Sequence, residues 1–247
     1  GLEIDDEGRL YAYYTTATDN RVARFMPGAM PEPIVTGLAK ASNHDAGRLR
    51  FGPDGALYIG VGDAADTSTP QDANSRNGKI LRVNPDGSGL TVHALGLRDP
   101  QGLAFDDEGR LYSSEFGPDR DDEINMIVPG GNYGWPTVTG DANDQRFVDP
   151  IVVRQPDVAS WSGIDVVNDD LYVAALRGQR LYRFDLDGNG GVIGRGEEIF
   201  TNTYGRLRHV EQAPDGSLWI LTSNCDGRGS CGLTGDSIIR AAPRPKT

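Results

Sequence analysis

The 247-residue chain has little of what several common protein classes require. It carries only 24 Lys and Arg against 36 Asp and Glu, which gives a formal net charge of −12. A nucleic-acid binder and a protein that docks on anionic membranes both need a basic face, so both classes are disfavoured. No run of 18 apolar residues occurs, which excludes a transmembrane helix.

Cysteine is almost absent, and the two that occur, Cys225 and Cys231, enclose Asp-Gly-Arg-Gly-Ser. A metal site normally takes more ligands than two. The Gly-rich segment can fold back on itself, so the spacing favours a small disulfide. A disulfide implies an oxidising compartment and hence a periplasmic or secreted protein. The chain begins at Gly1 with neither Met nor a signal peptide, as expected of a mature form or a fragment.

Lysine is also scarce, so arginine supplies nearly all of the positive charge. The lysines are Lys40, Lys79 and Lys246. A coding bias can produce such a composition. Arginine is also the side chain that binds carboxylates in a rigid two-pronged geometry, so the positions of the arginines matter.

One phrase recurs along the chain, an Asp/Glu-Gly turn followed by a short apolar and aromatic strand. Its copies are residues 6–11, 53–58, 107–112, a worn copy at 168–172, and 214–219. They are spaced by about 52 residues on average, and no window sustains the apolar spacing of a helix. This pattern predicts an all-β fold in which each repeat is a β-propeller blade.

Five copies predict about five blades in one domain over residues 1–247. The first copy begins at residue 6, and nothing upstream is expected to supply earlier strands of its blade. The tail after Arg240 is Pro-rich and a poor candidate for that role. We therefore expect the natural chain to be longer at its N-terminus.

Two polar segments flank the second strand phrase. His44 lies in Asn-His-Asp-Ala-Gly-Arg before it, and Asp63 follows it in Val-Gly-Asp. A loop histidine with a carboxylate to orient it is a candidate general base. The alternative is an ordinary surface histidine. Of the other histidines, His93 lies in a strand-like run, and His209 should point away from Arg208.

Arginines and acidic residues form two further groups. The arginines are Arg98, Arg177, Arg180, Arg206 and Arg208. Converging on a channel they would suit a polycarboxylate ligand, and otherwise they form surface ion pairs. The acidic group is residues 115–125, followed by a Gly-rich segment at 129–136. Carboxylates and backbone carbonyls there could bind Ca²⁺, or the segment is an acidic turn that binds nothing.

Four segments resemble the signatures of one family. They are Leu-Gly-Leu-Arg-Asp-Pro-Gln-Gly-Leu-Ala-Phe (95–105), Asp-Asp-Glu-Ile-Asn (121–125), Gly-Gly-Asn-Tyr-Gly-Trp-Pro (130–136) and Gly-Arg-Leu-Arg (205–208). The family is the soluble glucose/sorbosone (aldose sugar) dehydrogenases that depend on pyrroloquinoline quinone (PQQ), which are six-bladed propellers. The resemblance runs from about residue 10 to 240.

The resemblance implies a role for each matching position. His44 would be the catalytic base, Asp63 its acidic helper and Arg98 the arginine over the quinone. Asp99 stands where the family has Asn beside the cofactor. Further cofactor contacts would be Arg177, Arg206 and Arg208. The carbonyls of Gly117 and Pro118 would bind the active-site Ca²⁺, and Glu123 and Tyr133 would be associated with a second, structural Ca²⁺.

The reaction implied is oxidation of an aldose at C1 to the lactone, with the electrons passing through the quinone to an external acceptor. The family also has a first blade and a cofactor-binding Gln that have no counterpart here. A six-bladed ring at this repeat length needs about 310 residues, against 247. Two alternatives stay open: a truncated Ca²⁺-binding propeller without turnover, and a Ca²⁺-dependent sugar lactonase.

Overall fold

The computed structural model describes residues 1–233 and 235–245. Thr234, Lys246 and Thr247 lie outside the described residues, so the end of the Pro-rich tail is not covered. The described part contains nineteen β-strands and no helix. Accordingly, it has no helix that could cross a membrane. The scarcity of helix expected from the sequence is confirmed.

Five sheets follow one another, each built from strands consecutive in the sequence. Blade 1 is β1 (Leu2–Ile4), β2 (Leu10–Thr15), β3 (Asn20–Phe25) and β4 (Glu32–Leu38). Blade 2 is β5 (Ala46–Phe51), β6 (Leu57–Val61), β7 (Lys79–Val83) and β8 (Thr91–Leu95). Blade 3 is β9 (Pro100–Phe105), β10 (Leu111–Glu115), β11 (Asp122–Ile127) and β12 (Val152–Arg154). Blade 4 is β13 (Trp161–Val167), β14 (Asp170–Ala175), β15 (Arg180–Leu186) and β16 (Val192–Ile199), and blade 5 is β17 (Leu207–Gln212), β18 (Leu218–Thr222) and β19 (Ile238–Ala241). Short consecutive strands in four-stranded sheets are the pattern of a β-propeller, so the predicted fold class is confirmed.

Blade 1 corrects one expectation from the sequence. Nothing upstream of residue 6 was expected to contribute a strand, yet β1 pairs antiparallel with β2, with Leu2 opposite Ala12 and Ile4 opposite Leu10. Three residues are too few to show a strand periodicity, so the sequence pattern could not reveal this strand. Within residues 1–233 and 235–245, blade 5 has three strands, in the order β17-β18-β19, and the other blades have four.

An aspartate placed before the recurring turn holds it in shape. Asp5 Oδ1 accepts the backbone N–H of Arg9 at 2.9 Å, and its Oδ2 accepts Arg9 Nε at 2.7 Å and the Tyr11 hydroxyl at 3.1 Å. Asp106 accepts the same three bonds from Arg110 and from the tyrosine two residues further on. Part of the acidic surplus therefore serves the turns and needs no ligand to explain it.

The chain divides into two compact units, and each has its own core. Unit 1 comprises Gly1–Gln101 and Ile127–Asp149, and unit 2 comprises Gly102–Met126 and Pro150–Thr247. The core of unit 1 includes Tyr11, Val22, Leu38, Leu57 and Leu81. The largest core of unit 2 includes Ile124, Trp161, Val173, Tyr182 and Phe184. The single domain expected over residues 1–247 stays a prediction.

Candidate functional site

His44 and Asp63 meet in unit 1 beside blade 2. His44 lies in the loop before β5, and Asp63 lies two residues beyond the end of β6. His44 Nδ1 is 2.8 Å from Asp63 Oδ1, and the carboxylate is almost fully buried, with 1 % of its side chain exposed. Gly62 permits this approach, because a Cβ there would overlap the carbonyl oxygen of His44. The structure thus brings together the two residues that the sequence proposes as base and helper.

Arg98 determines which nitrogen of His44 carries the proton. Its Nη2 lies 2.9 Å from His44 Nε2. A guanidinium can only donate hydrogen bonds, so Nε2 is the acceptor and the proton of the imidazole is on Nδ1, where it is donated to Asp63. His44 therefore presents the lone pair of Nε2, the atom at which a general base would receive a proton.

Trp135 completes this group. It lies in the Gly-rich segment 130–136, and the sequence predicted no role for it. Its indole Nε1 donates to Asp63 Oδ2 at 2.9 Å, and the guanidinium carbon of Arg98 lies 5.5 Å from its ring centre. Burial would raise the pKa of Asp63, but hydrogen bonds from His44, Trp135 and the Ala65 N–H outweigh it and lower the pKa. Asp63 is therefore kept ionised. The available signal was the indole itself, since the N–H of a tryptophan removed from solvent usually requires an acceptor.

Asp99 follows Arg98 and is 5 % exposed. Gln101 Nε2 donates to its Oδ1 at 2.9 Å. Burial raises the pKa of Asp99, and the hydrogen bond from Gln101 and the positive charge of Arg98 do not outweigh it. The neutral form of this carboxyl is therefore more favoured than it is for an exposed aspartate.

The backbone around this group adopts unusual conformations. His44, Ala64 and Ala65 have φ values of 58°, 52° and 59°. Left-handed backbone at non-glycine residues is uncommon, most of all for alanine, and clusters at functional sites. Its presence on both sides of the His44–Asp63 pair makes this region of unit 1 a candidate functional site.

Unit 2 contains a polar cavity of about 560 Å³. It is lined by Arg177, Gln179, Thr203, Tyr204, Gly205, Arg206, Thr222, Asn224, Arg228, Gly229, Ser230, Gly232, Gly235 and Ser237. Of the predicted cofactor-binding arginines it includes Arg177 and Arg206 but not Arg208. Arg180 instead forms a surface ion pair with Glu198 at 2.6 Å. The cavity is large and polar enough for a ligand with several carboxylates.

The cysteine segment forms part of this cavity. The predicted disulfide is confirmed, with Cys225 joined to Cys231. Asp226, inside the closed loop, lies 3.2 Å from Arg206 Nη2 and 3.6 Å from Arg208 Nη2. Burial opposes ionisation of Asp226, but hydrogen bonds from the loop backbone, a serine hydroxyl and Arg206 lower its pKa to about 2. The two arginines therefore share a permanent carboxylate.

Arg228, also in the closed loop, was not singled out from the sequence. Arg228 lines the cavity, and its backbone N–H donates to Asp226 Oδ1 at 2.9 Å. Its guanidinium makes no ion pair or hydrogen bond within residues 1–233 and 235–245. Arg177 has no such partner in the same ranges. The signal that could have found Arg228 was its place two residues after Asp226 in a segment closed by cysteines.

Gly117 and Pro118 lie in the loop after β10. Neither of their carbonyl oxygens accepts a hydrogen bond from any residue that the structure describes. The loop is tight at Gly117 and leaves no room for a side chain there. A Cβ on Gly117 would overlap Arg120 O and lie 2.6 Å from Asp121 O. Uncommitted carbonyl oxygens are ligands that Ca²⁺ accepts, so this loop fits the calcium site implied by the resemblance.

Asp122 has a structural use that the sequence did not show. Its Oδ1 accepts the N–H of Gly117 at 2.8 Å, and its Oδ2 accepts the N–H of Ser160 at 2.6 Å. Two backbone donors thus satisfy the carboxylate of Asp122 without a cation. In the described ranges no three His, Cys, Asp or Glu side chains form a metal-binding group.

The two residues expected at a second Ca²⁺ are both buried. Glu123 Oε2 accepts Asn125 Nδ2 at 3.2 Å in unit 2. The Tyr133 hydroxyl accepts the N–H of Val128 at 2.9 Å in unit 1. Their association with a structural Ca²⁺ stays a prediction.

Comparison with known proteins agrees with these observations. The family model for glucose/sorbosone dehydrogenase matches residues 5–234. Aldose sugar dehydrogenase YliI of Escherichia coli is 31% identical over 272 residues, covering 96% of this chain and 68% of that protein. Quinoprotein glucose dehydrogenase B of Acinetobacter calcoaceticus is 41% identical over 147 residues, covering 47% of this chain and only 31% of its own length.

A solved structure extends the comparison to the fold. The PQQ-bound form of aldose sugar dehydrogenase from Streptomyces coelicolor superposes with a TM-score of 0.89 at 41% identity, covering 94% of this chain and 74% of that one. The chain therefore spans part of each of these relatives. Because the family model matches residues 5–234 of the 247, the chain belongs to the glucose/sorbosone dehydrogenase family.

Proposed function

We propose that the protein oxidises an aldose sugar at C1 to the lactone, with PQQ as cofactor and Ca²⁺ beside it. The observation that carries the proposal is the neutral His44, with Nδ1–H donated to the buried Asp63 and Nε2 as its basic atom. A histidine oriented in this way by a carboxylate is the arrangement of a general base. The PQQ-bound relative supports the choice of cofactor.

In the proposed reaction His44 Nε2 receives the proton of the C1 hydroxyl. Asp63 keeps Nδ1–H in place and stabilises the imidazolium that results. Arg98 would release Nε2 when the sugar binds, and its guanidinium would then be available to stabilise negative charge on a bound cofactor. When bound, the quinone supplies the hydride acceptor and Ca²⁺ acts as a Lewis acid on it.

PQQ carries three carboxylates, and we propose that the arginines bind them. Arg177 and Arg206 line the cavity of unit 2, and we add Arg228 to them. Charge-assisted bonds to arginine offset the cost of burying such an anion. Arg208 lies outside the lining and supports Arg206 through their shared carboxylate. Arg98 and Asp99 are the proposed cofactor contacts of unit 1.

The proposed metal ligands are backbone and side-chain oxygens. The carbonyls of Gly117 and Pro118 would hold the active-site Ca²⁺. Glu123 and Tyr133 are the positions that the resemblance associates with a structural Ca²⁺. The disulfide supports a periplasmic or secreted location, and an external acceptor would reoxidise the cofactor.

Reconstitution tests the proposal and separates it from the two alternatives. The protein is incubated with PQQ and CaCl₂, freed of unbound quinone, and examined for bound-quinone absorbance and for dye reduction with a panel of aldoses. Dye reduction that depends on both additions supports the proposal. Bound quinone without turnover indicates a binding propeller, and hydrolysis of a sugar lactone without quinone indicates a lactonase.

A further inference from the structure

We propose that Trp135 is a positioning residue that orients His44 from both sides of its ring. On the Nδ1 side it acts through Asp63, and on the Nε2 side it acts through Arg98. The inference rests on the proposed function in one respect, the use of His44 as the base. The contacts themselves all lie within unit 1.

The first contact fixes the plane of the Asp63 carboxylate. Asp63 Oδ1 lies 2.8 Å from both His44 Nδ1 and the N–H of Ala65, while Oδ2 accepts the indole N–H of Trp135 at 2.9 Å. With donors on both oxygens, the carboxylate cannot rotate without losing a hydrogen bond. A buried charge that loses a donor is strongly disfavoured, so Trp135 holds Asp63 in the plane that meets His44.

The second contact places Arg98. Its guanidinium carbon lies 5.5 Å from the centre of the Trp135 ring, within the range of a cation–π interaction. Nη2 of the same guanidinium group lies 2.9 Å from His44 Nε2. The indole thus holds the Arg98 guanidinium close to His44 Nε2, the atom proposed to receive the proton.

Trp135 is itself held by its backbone. Its N–H donates to Gly96 O at 2.9 Å, and its carbonyl accepts Gln71 Nε2 at 2.8 Å. Positioning requires a support that does not move, and these bonds supply it. A tryptophan that served only to fill space would need neither an N–H aimed at a buried carboxylate nor a face turned to a cation.

The first test uses the wild-type protein without cofactor. The titration of Asp63 is monitored through the ¹³C signal of its carboxyl carbon. The indole ¹H–¹⁵N resonance of Trp135 should shift over the same pH range. Trp219, which is exposed, and Trp161, whose Nε1 has no hydrogen-bond partner among the described residues, are internal controls and should not follow that titration. A Trp135 resonance that ignores Asp63 overturns the assignment.

The second test uses Trp135→Phe, which removes the N–H but keeps a ring beneath Arg98, with Trp219→Phe as the matched control. In Trp135→Phe the pKa of Asp63 should rise, because one of its donors is lost. In the reconstituted enzyme turnover should fall about ten-fold, the loss expected for one hydrogen bond to a charged group. The acid limb of the pH profile should move to higher pH, with the KM for sugar and the affinity for PQQ unchanged.

The two tests separate the inference from the proposed function. An unshifted Asp63 titration in folded Trp135→Phe, or turnover equal to that of Trp219→Phe, overturns the role of Trp135. If the wild type oxidises no aldose with PQQ, the proposed function fails, and the NMR titrations alone decide whether Trp135 positions Asp63. If Trp135→Phe does not fold, the wild-type indole titration decides.

Discussion

Arg206 Nη2 and Asp226 Oδ2 lie 3.2 Å apart, so the arginine proposed to bind a cofactor carboxylate already binds a carboxylate of its own chain. The pKa of Asp226 is held at about 2, which keeps this ion pair charged at every physiological pH. An incoming carboxylate must share Arg206 with Asp226 or displace it. Arg228 has no ionic partner among the described residues and can bind an added anion without such an exchange.

His44→Ala and Arg206→Ala should fail in different ways. Removing the base should lower turnover by about two to four powers of ten, with cofactor binding largely kept. Removing Arg206 should weaken cofactor binding first, since its proposed partner is a carboxylate and not the reacting carbonyl. Quinone titration and steady-state kinetics on both variants check this. Full sugar oxidation by His44→Ala, or loss of the cofactor from it while Arg206→Ala keeps it, would contradict the roles.

Opening the Cys225–Cys231 bridge should affect ligand binding more than stability. The double variant Cys225→Ser, Cys231→Ser frees the loop that carries Asp226 and Arg228, so PQQ affinity should fall. Because the closed loop is short, the melting temperature should fall by only about a few degrees. Isothermal titration and calorimetry measure the two effects. The native protein should also show no titratable thiol, and finding two would refute the disulfide.

Asp99→Asn should change how stability depends on pH. Burial raises the pKa of Asp99 in the folded protein above its unfolded value near 3.9, so its stabilising contribution is complete below about pH 4 and is lost as pH rises through the folded pKa. Asparagine cannot ionise and keeps that contribution. The melting temperature of Asp99→Asn relative to wild type should therefore increase from pH 4 to 8. Asp6→Asn, at an exposed turn, is the control, and parallel curves for Asp99→Asn and wild type would refute the prediction.

Calcium should stabilise the fold through the loop at Gly117 and Pro118. Their carbonyl oxygens accept no hydrogen bond from the described residues, so a bound cation gains ligands at no cost to the protein's own bonds. A ligand that binds only the folded state raises the melting temperature. Thermal unfolding with EDTA, with EDTA followed by excess CaCl₂, and with MgCl₂ measures the effect. A melting temperature unchanged by chelation would count against the site.

Lys79→Met should destabilise unit 1. The fully buried Lys79 Nζ donates to the carbonyls of Thr69, Pro70 and Asn77 at 2.8 to 2.9 Å. Methionine fills similar space but leaves these acceptors without a donor, at a cost of about 3 kcal/mol or more. Urea unfolding measures this, with Lys40→Met at an exposed position as the control. Burial lowers the pKa of Lys79 to about 8, so its contribution to stability should increase from pH 8 towards the unfolded value near 10.4.

The features that the sequence revealed depend on local patterns. Residues close together in the chain determine the turns, the strands that follow them and the Cys225–Cys231 bridge. The His44–Asp63 pair was found because both residues flank a single strand phrase. The role of Trp135 was not predicted because its partner Asp63 is 72 positions away, and no sequence periodicity indicates such a contact. The use of Asp122 was missed for a related reason, since its partner N–H groups carry no signal in residue type.

The aspartate-held turns have a consequence for how the chain folds. Asp5 finds its partners four and six residues further on, and Asp106 does the same. Short loops close at little cost in chain entropy and within microseconds, long before distant segments meet. Each hairpin can therefore form as soon as its own residues leave the ribosome. Because each sheet is built from consecutive strands, such a hairpin can extend to a whole sheet through local pairing alone.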